Sequence, residues 1–347
     1  MAETEMKQKV AKGLFWKLLE NGGAQGVQFV IAILLARLLT PAEYGVVGII
    51  MIFITIANVF VQSGFSTALV QKRKADEVDF SSVCYFELAA ALGVYGLLYG
   101  AAPSIADFYG LPVLCDIVRV LGVVLFPGAV ISVQTAYVSR NMEFRGLFFS
   151  TLAASLVSGG LSIAMAAAGW GVWAMVGQQI SYYISLMAVL FLTVSWKPRR
   201  CFSMERVGGM FSFGWKLLCA SLLDTVFNNL YGLLIGKIYN EELLGSYTRG
   251  EQFPKLIASN LGAAIQAVLL PAFSASQDSR ETVRDMVRRA IRLSSFAVLP
   301  MLMGLFAVAD TLVLAFGRAM DGLCAVFADY VYLLLFLADS YYQSSGY

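Results

Sequence analysis

Nine long apolar stretches follow one another along this chain, each near or above the roughly 20 residues that a helix needs to cross a hydrocarbon core. They run near residues 14–39, 45–70, 81–103, 111–138, 146–168, 171–195, 208–236, 243–273 and 290–309, and an apolar tail follows near 311–338. Backbone polar groups in lipid need partners within the segment, and these stretches lack the alternation of barrel strands, so all are expected to be helices. With 59% hydrophobic and only 14% charged residues, an ordinary soluble domain is excluded. There is no histidine, which removes His-based zinc sites and Ser-His-Asp or Cys-His catalytic sets. The five cysteines are scattered without a Cys-x-x-Cys pair and read as small apolar residues. No connecting segment is long enough to form an extramembrane domain. An enzyme is therefore not expected, nor a cofactor, a metal or a nucleic-acid partner.

Charge orients the spans. If the N-terminus is cytoplasmic, the inside segments hold Lys7, Lys9 and Lys12; Lys72, Arg73 and Lys74; Arg140 and Arg145; Lys197, Arg199, Arg200 and Arg206; and Arg280, Arg284, Arg288, Arg289 and Arg292. Those are 17 of the 25 lysines and arginines, while the outside turns carry only Arg37, Arg119 and Lys237. This is the positive-inside pattern. The polar start, Met1–Lys12, has no compact apolar core or small-residue cleavage site and is expected to stay uncleaved. In Arg280–Arg292, Val283, Met286, Val287 and Ile291 stand at helical spacing among five arginines. That suits a helix lying on anionic lipid, or equally a solvated basic loop.

The spans also repeat. Trp16-Lys17-Leu18-Leu19 recurs as Trp215-Lys216-Leu217-Leu218, and Arg37 before Gly45 is matched by Lys237 before Gly245 at the same spacing. The tetrapeptide would recur by chance on the order of a few times in a thousand, so two parallel copies are expected. Duplicated helical bundles commonly hold a substrate between the copies.

Polar residues within apolar spans are costly in lipid and mark candidate cavity walls. Helix spacing puts Lys17 with Asn21, and Asn21 with Gln25, on one face of the first span. Asp224 and Asn228 share a face of the seventh beside Asn229, Arg249 lies in the eighth with Tyr247 and Glu251, and Asn58 and Gln62 lie in the second. Lys17 and Lys216 are equivalent in the two copies and suit an anionic head group such as a diphosphate. As first-turn lysines they could equally snorkel to the interface. Glu20 and Asp224 are candidates for coupling to a proton or sodium ion. Pro127, Pro254 and Pro271 either kink their helices for gating or only shape packing. Gly22, Gly23, Gly26, Gly93, Gly96, Gly100, Gly159 and Gly160 are expected to let helices approach closely.

Ala36–Gly45 (Ala-Arg-Leu-Leu-Thr-Pro-Ala-Glu-Tyr-Gly), Gly64–Lys72 (Gly-Phe-Ser-Thr-Ala-Leu-Val-Gln-Lys) and Ser139–Arg145 resemble the polysaccharide-biosynthesis flippases of the MOP superfamily. So do Phe213–Leu218, Asn228-Asn229, Leu244–Gly250 and Leu270–Ser274, and together the resemblance covers about residues 10–316. It implies an all-α polytopic fold of two six-helix lobes around a central cavity. Here residues 1–205 would form the N-lobe and 206–316 a partial C-lobe of about three spans. It also implies translocation of undecaprenyl-pyrophosphate-linked oligosaccharide across the bacterial inner membrane by alternating access, for lipopolysaccharide or exopolysaccharide. Membrane lipids, and a polysaccharide polymerase with its export machinery, are the implied partners. A multidrug-extrusion-type exporter is the alternative.

The family pattern stops after Phe316. A reading frame one base away can be back-translated into a family-like tenth helix, so Gly317–Tyr347 is expected to be a frameshift product and the chain inactive in transport. Sequencing the gene through this region should reveal family-like sequence continuing in the shifted frame; a downstream frame without it would sink the idea.

Overall fold

The computed structural model describes residues 2–251, except 63, 73, 74 and 142, and isolated positions between 288 and 307. Its side chains are described from Trp16 onward, apart from those of Lys17, Leu18, Glu20, Asn21, Gln71, Ser212 and Phe213. The helices are α1 Ala2–Leu38, α2 Pro41–Gln62, α3 Phe65–Gln71, α4 Glu77–Tyr109, α5 Val113–Leu121, α6 Leu125–Asn141, α7 Phe144–Ala167, α8 Val172–Thr193 and α9 Met204–Ile238. A helical run over 241–251 opens α10, and there is no strand among the described residues. Among the described residues six helical segments are long and apolar enough to cross a membrane, and they coincide with the expected spans from 45–70 to 208–236. For the first span the described apolar segment is Gly22–Leu38. Most of the two later spans, Pro254, Pro271, nearly all of Arg280–Arg292 and the tail 317–347 lie outside the described residues.

Local chemistry sets the helix limits. The Asp76 side chain accepts from the Asp79 N–H at 3.0 Å while Asp79 Oδ2 accepts from the Asp76 N–H at 3.1 Å, a reciprocal cap that opens α4. Gly110, with φ 69°, closes it in a left-handed turn. Between α5 and α6 the chain tightens into a 3-10 turn over Gly122–Val124. Pro127 follows within the first turn of α6, where its missing N–H costs no intrahelical bond.

The helices run up and down, so their connections gather at two ends. One end has the short turns between α1 and α2, α4 and α5, α7 and α8, and α9 and α10. The other has the charged connections between α3 and α4, α6 and α7, and α8 and α9. α7 and α8 form a hairpin with α1 along α7, and α9 lies across α2, α3 and α4. Phe65, Leu69, Phe80, Val133, Leu190 and Trp196 fill the core toward the charged end, joined by Val207 and Met210 of α9. Ile49, Ile50, Ile54, Leu114, Ile117 and Leu121 fill it toward the short-turn end, joined by Leu244 of α10.

Close approach occurs at fewer of the singled-out glycines than expected. A Cβ on Gly23 would touch Phe148, and one on Gly159 would overlap Ile31. Gly22, Gly26, Gly93, Gly96, Gly100 and Gly160 meet nothing within 4 Å; they stand on faces turned away from the described helices. The tightest contacts lie elsewhere. A Cβ on Gly45 would overlap the Glu241 backbone, one on Gly245 the Pro41 backbone, and one on Gly64 the Gly214 backbone. Gly45 and Gly245 are equivalent in the two copies, so the copies cross backbone to backbone at matching positions.

At the charged end, Asp79 is fully buried and accepts from Lys72 Nζ at 2.8 Å and from Arg206 Nη1 at 3.2 Å. The same Arg206 nitrogen donates to Asp76 at 2.6 Å. That bond is the main cause holding the Asp76 carboxyl below its ordinary value. The outer pair, Arg199 with Glu77 at 2.6 Å, is exposed and contributes little.

Two predictions follow from this packing. Gly→Ala within a helix ordinarily stabilises, but at Gly45 or Gly245 the new methyl meets backbone that cannot rotate away. Each substitution should therefore destabilise by about 1–3 kcal/mol, read as a lower thermal midpoint in detergent; an unchanged midpoint would refute the close crossing. Arg206→Ala removes the bond to Asp76 and one of the two cations at the buried Asp79, and should lower the thermal midpoint at neutral pH. A carboxyl depressed in the folded state contributes stability above its ordinary titration range and loses it as pH falls through the lower folded value. The wild-type advantage should accordingly shrink on acidification.

Candidate functional site

Below the Gly45–Gly245 crossing, α1, α2, α8, α9 and α10 enclose a cavity of about 530 Å³. Its walls are unusual for helices this apolar. α8 brings Gln178 and Gln179, α9 brings Asn228 and Asn229, α1 brings Gln28, and α10 brings Tyr247, Thr248, Arg249 and Glu251. Asn229 Nδ2 donates to the Thr225 carbonyl of its own helix at 2.8 Å. Amides offer donors and acceptors without net charge, which suits a ligand rich in hydroxyls and anhydride oxygens.

Arg249 and Glu251 are the charged side chains of this lining, and Arg249 is the buried one. It is only 6% exposed, and its guanidinium carbon sits 3.6 Å from the centre of the Tyr44 ring of α2. Tyr44 belongs to the first copy and Arg249 to the second, so this cation–π contact crosses between them. A planar guanidinium held in a partly dry cavity favours bidentate recognition of phosphate oxygens.

The structure brings together three of the sequence-predicted residues, Asn228, Asn229 and Arg249, with their neighbours Tyr247 and Glu251. Lys216 and Asp224 are exposed on α9 and do not line this cavity. Gln25 is half-buried one turn before Gln28. The side chains of Lys17, Glu20 and Asn21 lie outside the described ones. Sequence reasoning missed Gln28, Gln178 and Gln179; the adjacent glutamines inside an apolar span were the available signal. It also passed over Glu87, an acid within the third span that is fully buried.

A second cavity, of about 580 Å³, opens inside the first copy between α2, α3, α6 and α8. Gln62, which donates to Asn58 at 3.0 Å, lies on its wall with Ser66 and Ser132. Among the described residues no group of three or more acidic or cysteine side chains is placed to hold a metal ion.

The fold is that of the MOP-superfamily transporters. The chain superposes on the lipid II flippase MurJ in an inward closed conformation with TM-score 0.67 at 14% identity, covering 92% of this chain and 71% of that one. It superposes on an inward-facing multidrug resistance MATE family transporter with TM-score 0.62 at 16% identity, covering 88% and 75%. In sequence it is 22% identical to the succinoglycan biosynthesis transport protein ExoT of Rhizobium meliloti, over 89% of this chain and 63% of that protein. It is 26% identical to the teichuronic acid biosynthesis protein TuaB of Bacillus subtilis, over 90% and 65%. With the lipopolysaccharide biosynthesis protein WzxC of Escherichia coli it shares 21% identity over 92% and 66%. The chain thus spans just under two thirds of these relatives' length. The family model described as "Polysaccharide biosynthesis protein" matches residues 34–319, and this multi-pass membrane chain belongs to that polysaccharide biosynthesis family.

Proposed function

We propose that this chain carries the head-group site for translocation of an undecaprenyl-pyrophosphate-linked oligosaccharide from the inner to the outer leaflet of the bacterial inner membrane, by alternating access. Arg249 carries the reading: a nearly buried guanidinium, packed across the two copies on Tyr44, in a cavity whose other polar lining is amides, hydroxyls and the single carboxylate of Glu251. The diphosphate would meet Arg249, the sugars would meet Asn228, Asn229, Gln178 and Gln179, and the polyprenyl tail would stay in lipid. Lys17, Asn21, Gln25, Lys216 and Asp224 are proposed for the wider path of the head group, and Glu20 and Asp224 for ion coupling. The protein acts on position and not on covalent bonds, so it is read as a transporter and not an enzyme.

Residues 1–205 are taken as the first lobe and 206–316 as part of the second, with the charged end in the cytoplasm as the lysine and arginine distribution requires. The glycine crossing then seals the outer face, and the cavity below it is entered from the cytoplasmic side. A polysaccharide polymerase and export machinery are the proposed neighbours on the outer side. A drug-exporter reading shares the fold, but a nearly buried arginine in the cavity wall suits an anion better than a lipophilic cation.

The test is binding. With the full chain in lipid nanodiscs and undecaprenyl-diphosphate-linked oligosaccharide as probe, Arg249→Ala should weaken binding by roughly 10- to 100-fold, the size of one lost charged hydrogen-bonding group. Asn228→Ala should weaken it less. Binding indifferent to Arg249→Ala overturns the proposal, and tight binding of a lipophilic cation that tolerates the same change would favour the drug exporter.

A further inference from the structure

Glu87 stands ten residues into α4, about 15 Å along the helix from Glu77. It is fully buried, within a span long and apolar enough to cross a membrane. Its surroundings are apolar: Phe65, Val83, Cys84, Phe86 and Leu88 belong to the adjoining core. Neither carboxyl oxygen has a partner in hydrogen-bonding geometry. Ser66 of α3 and Ser132 of α6 present the polar groups nearest to it, and these two hydroxyls hydrogen-bond to each other. The titratable group facing Glu87 is the Cys84 thiol of its own helix. Among the described residues no charged group of α2, α3, α5, α6 or α9 faces it.

A carboxylate in such a place, with no cation beside it, is strongly disfavoured, whereas a neutral carboxylic acid is tolerable. Ser66 and Ser132 also line the second cavity. The hydroxyl pair therefore touches both the sealed carboxyl and an open space. A hydroxyl can accept one proton and release another, which the flanking Phe65 and Phe86 side chains cannot. We propose that Glu87 is an exchangeable proton-binding site within the membrane, served from the neighbouring cavity by the Ser66–Ser132 hydroxyl pair.

The transfer is balanced and breaks only O–H bonds. The carboxyl proton passes to one serine oxygen as that hydroxyl releases its own proton to the second, which releases its proton to solvent in the cavity. The return runs in reverse. A bound metal cation is a poorer fit, since hard cations gather six or more oxygens and the neighbours here offer two hydroxyls. The carboxyl lies in the first copy, apart from the Arg249 cavity, so its protonation can change while the other cavity is occupied. Only the use made of the proton rests on the translocation reading; the site itself does not.

Infrared difference spectroscopy of the full chain in nanodiscs, without glycolipid, tests the site independently of transport. At neutral pH a protonated-carboxyl band should be present, be lost in Glu87→Gln, and shift promptly when the buffer is changed to D2O. Should Glu87→Gln fail to fold, Glu87→Asp identifies the band by moving its frequency. The Ser66→Ala, Ser132→Ala double variant should keep the band and slow its deuterium shift by about tenfold or more. The absence of a protonated band at Glu87, a band that never exchanges, or exchange unaffected by loss of both hydroxyls would each overturn the proposal. Weak glycolipid binding in the Arg249 experiment would leave this result standing.

Discussion

Backbone contact between the two copies is the constraint on which the rest of this structure depends. At Gly45 and Gly245 the helices α2 and α10 come closer than any side chain permits, and at Gly64, just before α3, a Cβ would overlap the Gly214 backbone of α9. Lipid tails give helices little reason to associate by hydrophobicity alone, so close van der Waals packing must supply much of the attraction. Between these points Gly232 and Gly236 seat α9 against Ile52 and Ile49 of α2. The cavity is the space left beneath the crossing, where α1, α8 and α10 stand away from that dry seam.

Lipid imposes its demands on each helix separately, which is why the spans could be read from the chain. Every crossing segment must be apolar for some twenty residues whatever its neighbours do. The rotation of each helix about its own axis is set by neighbours and cannot be read from one span alone. Lys216 and Asp224 shared an apolar span with Asn228 and Asn229, yet only the asparagines turn toward the cavity. The tetrapeptide echo shows the same limit: Trp16 packs against Phe148 and Phe149 of α7, while Trp215 is largely exposed. Gln178 and Gln179 carried as strong a signal as the asparagines, but a neutral amide draws less notice than a charge. Glu87 was legible as an acid in an apolar span; that it is sealed from everything but two serines depends on α3 and α6.

Two kinds of buried polarity coexist. The Arg249 cavity holds a permanent cation among amides, with the Glu251 carboxylate in the same lining. Glu87 is a group whose charge can be removed, set where a permanent one would be expensive. Separating them places a fixed electrostatic feature between the copies and a variable one inside the first copy.

The connection between the copies is itself part of the first bundle. The Arg199 N–H donates to Ser81 Oγ at 3.1 Å and the Ser203 N–H donates to Ser82 Oγ at 2.9 Å, and both serines are fully buried at the start of α4. Trp196, just upstream, lies in the same core. Residues 196–203 are thus moored, and the joint between the halves is no slack tether. Any turning of α9 against the first bundle must begin beyond Ser203, inside the helix, so the pivot has the stiffness of a helix and the precision that comes with it.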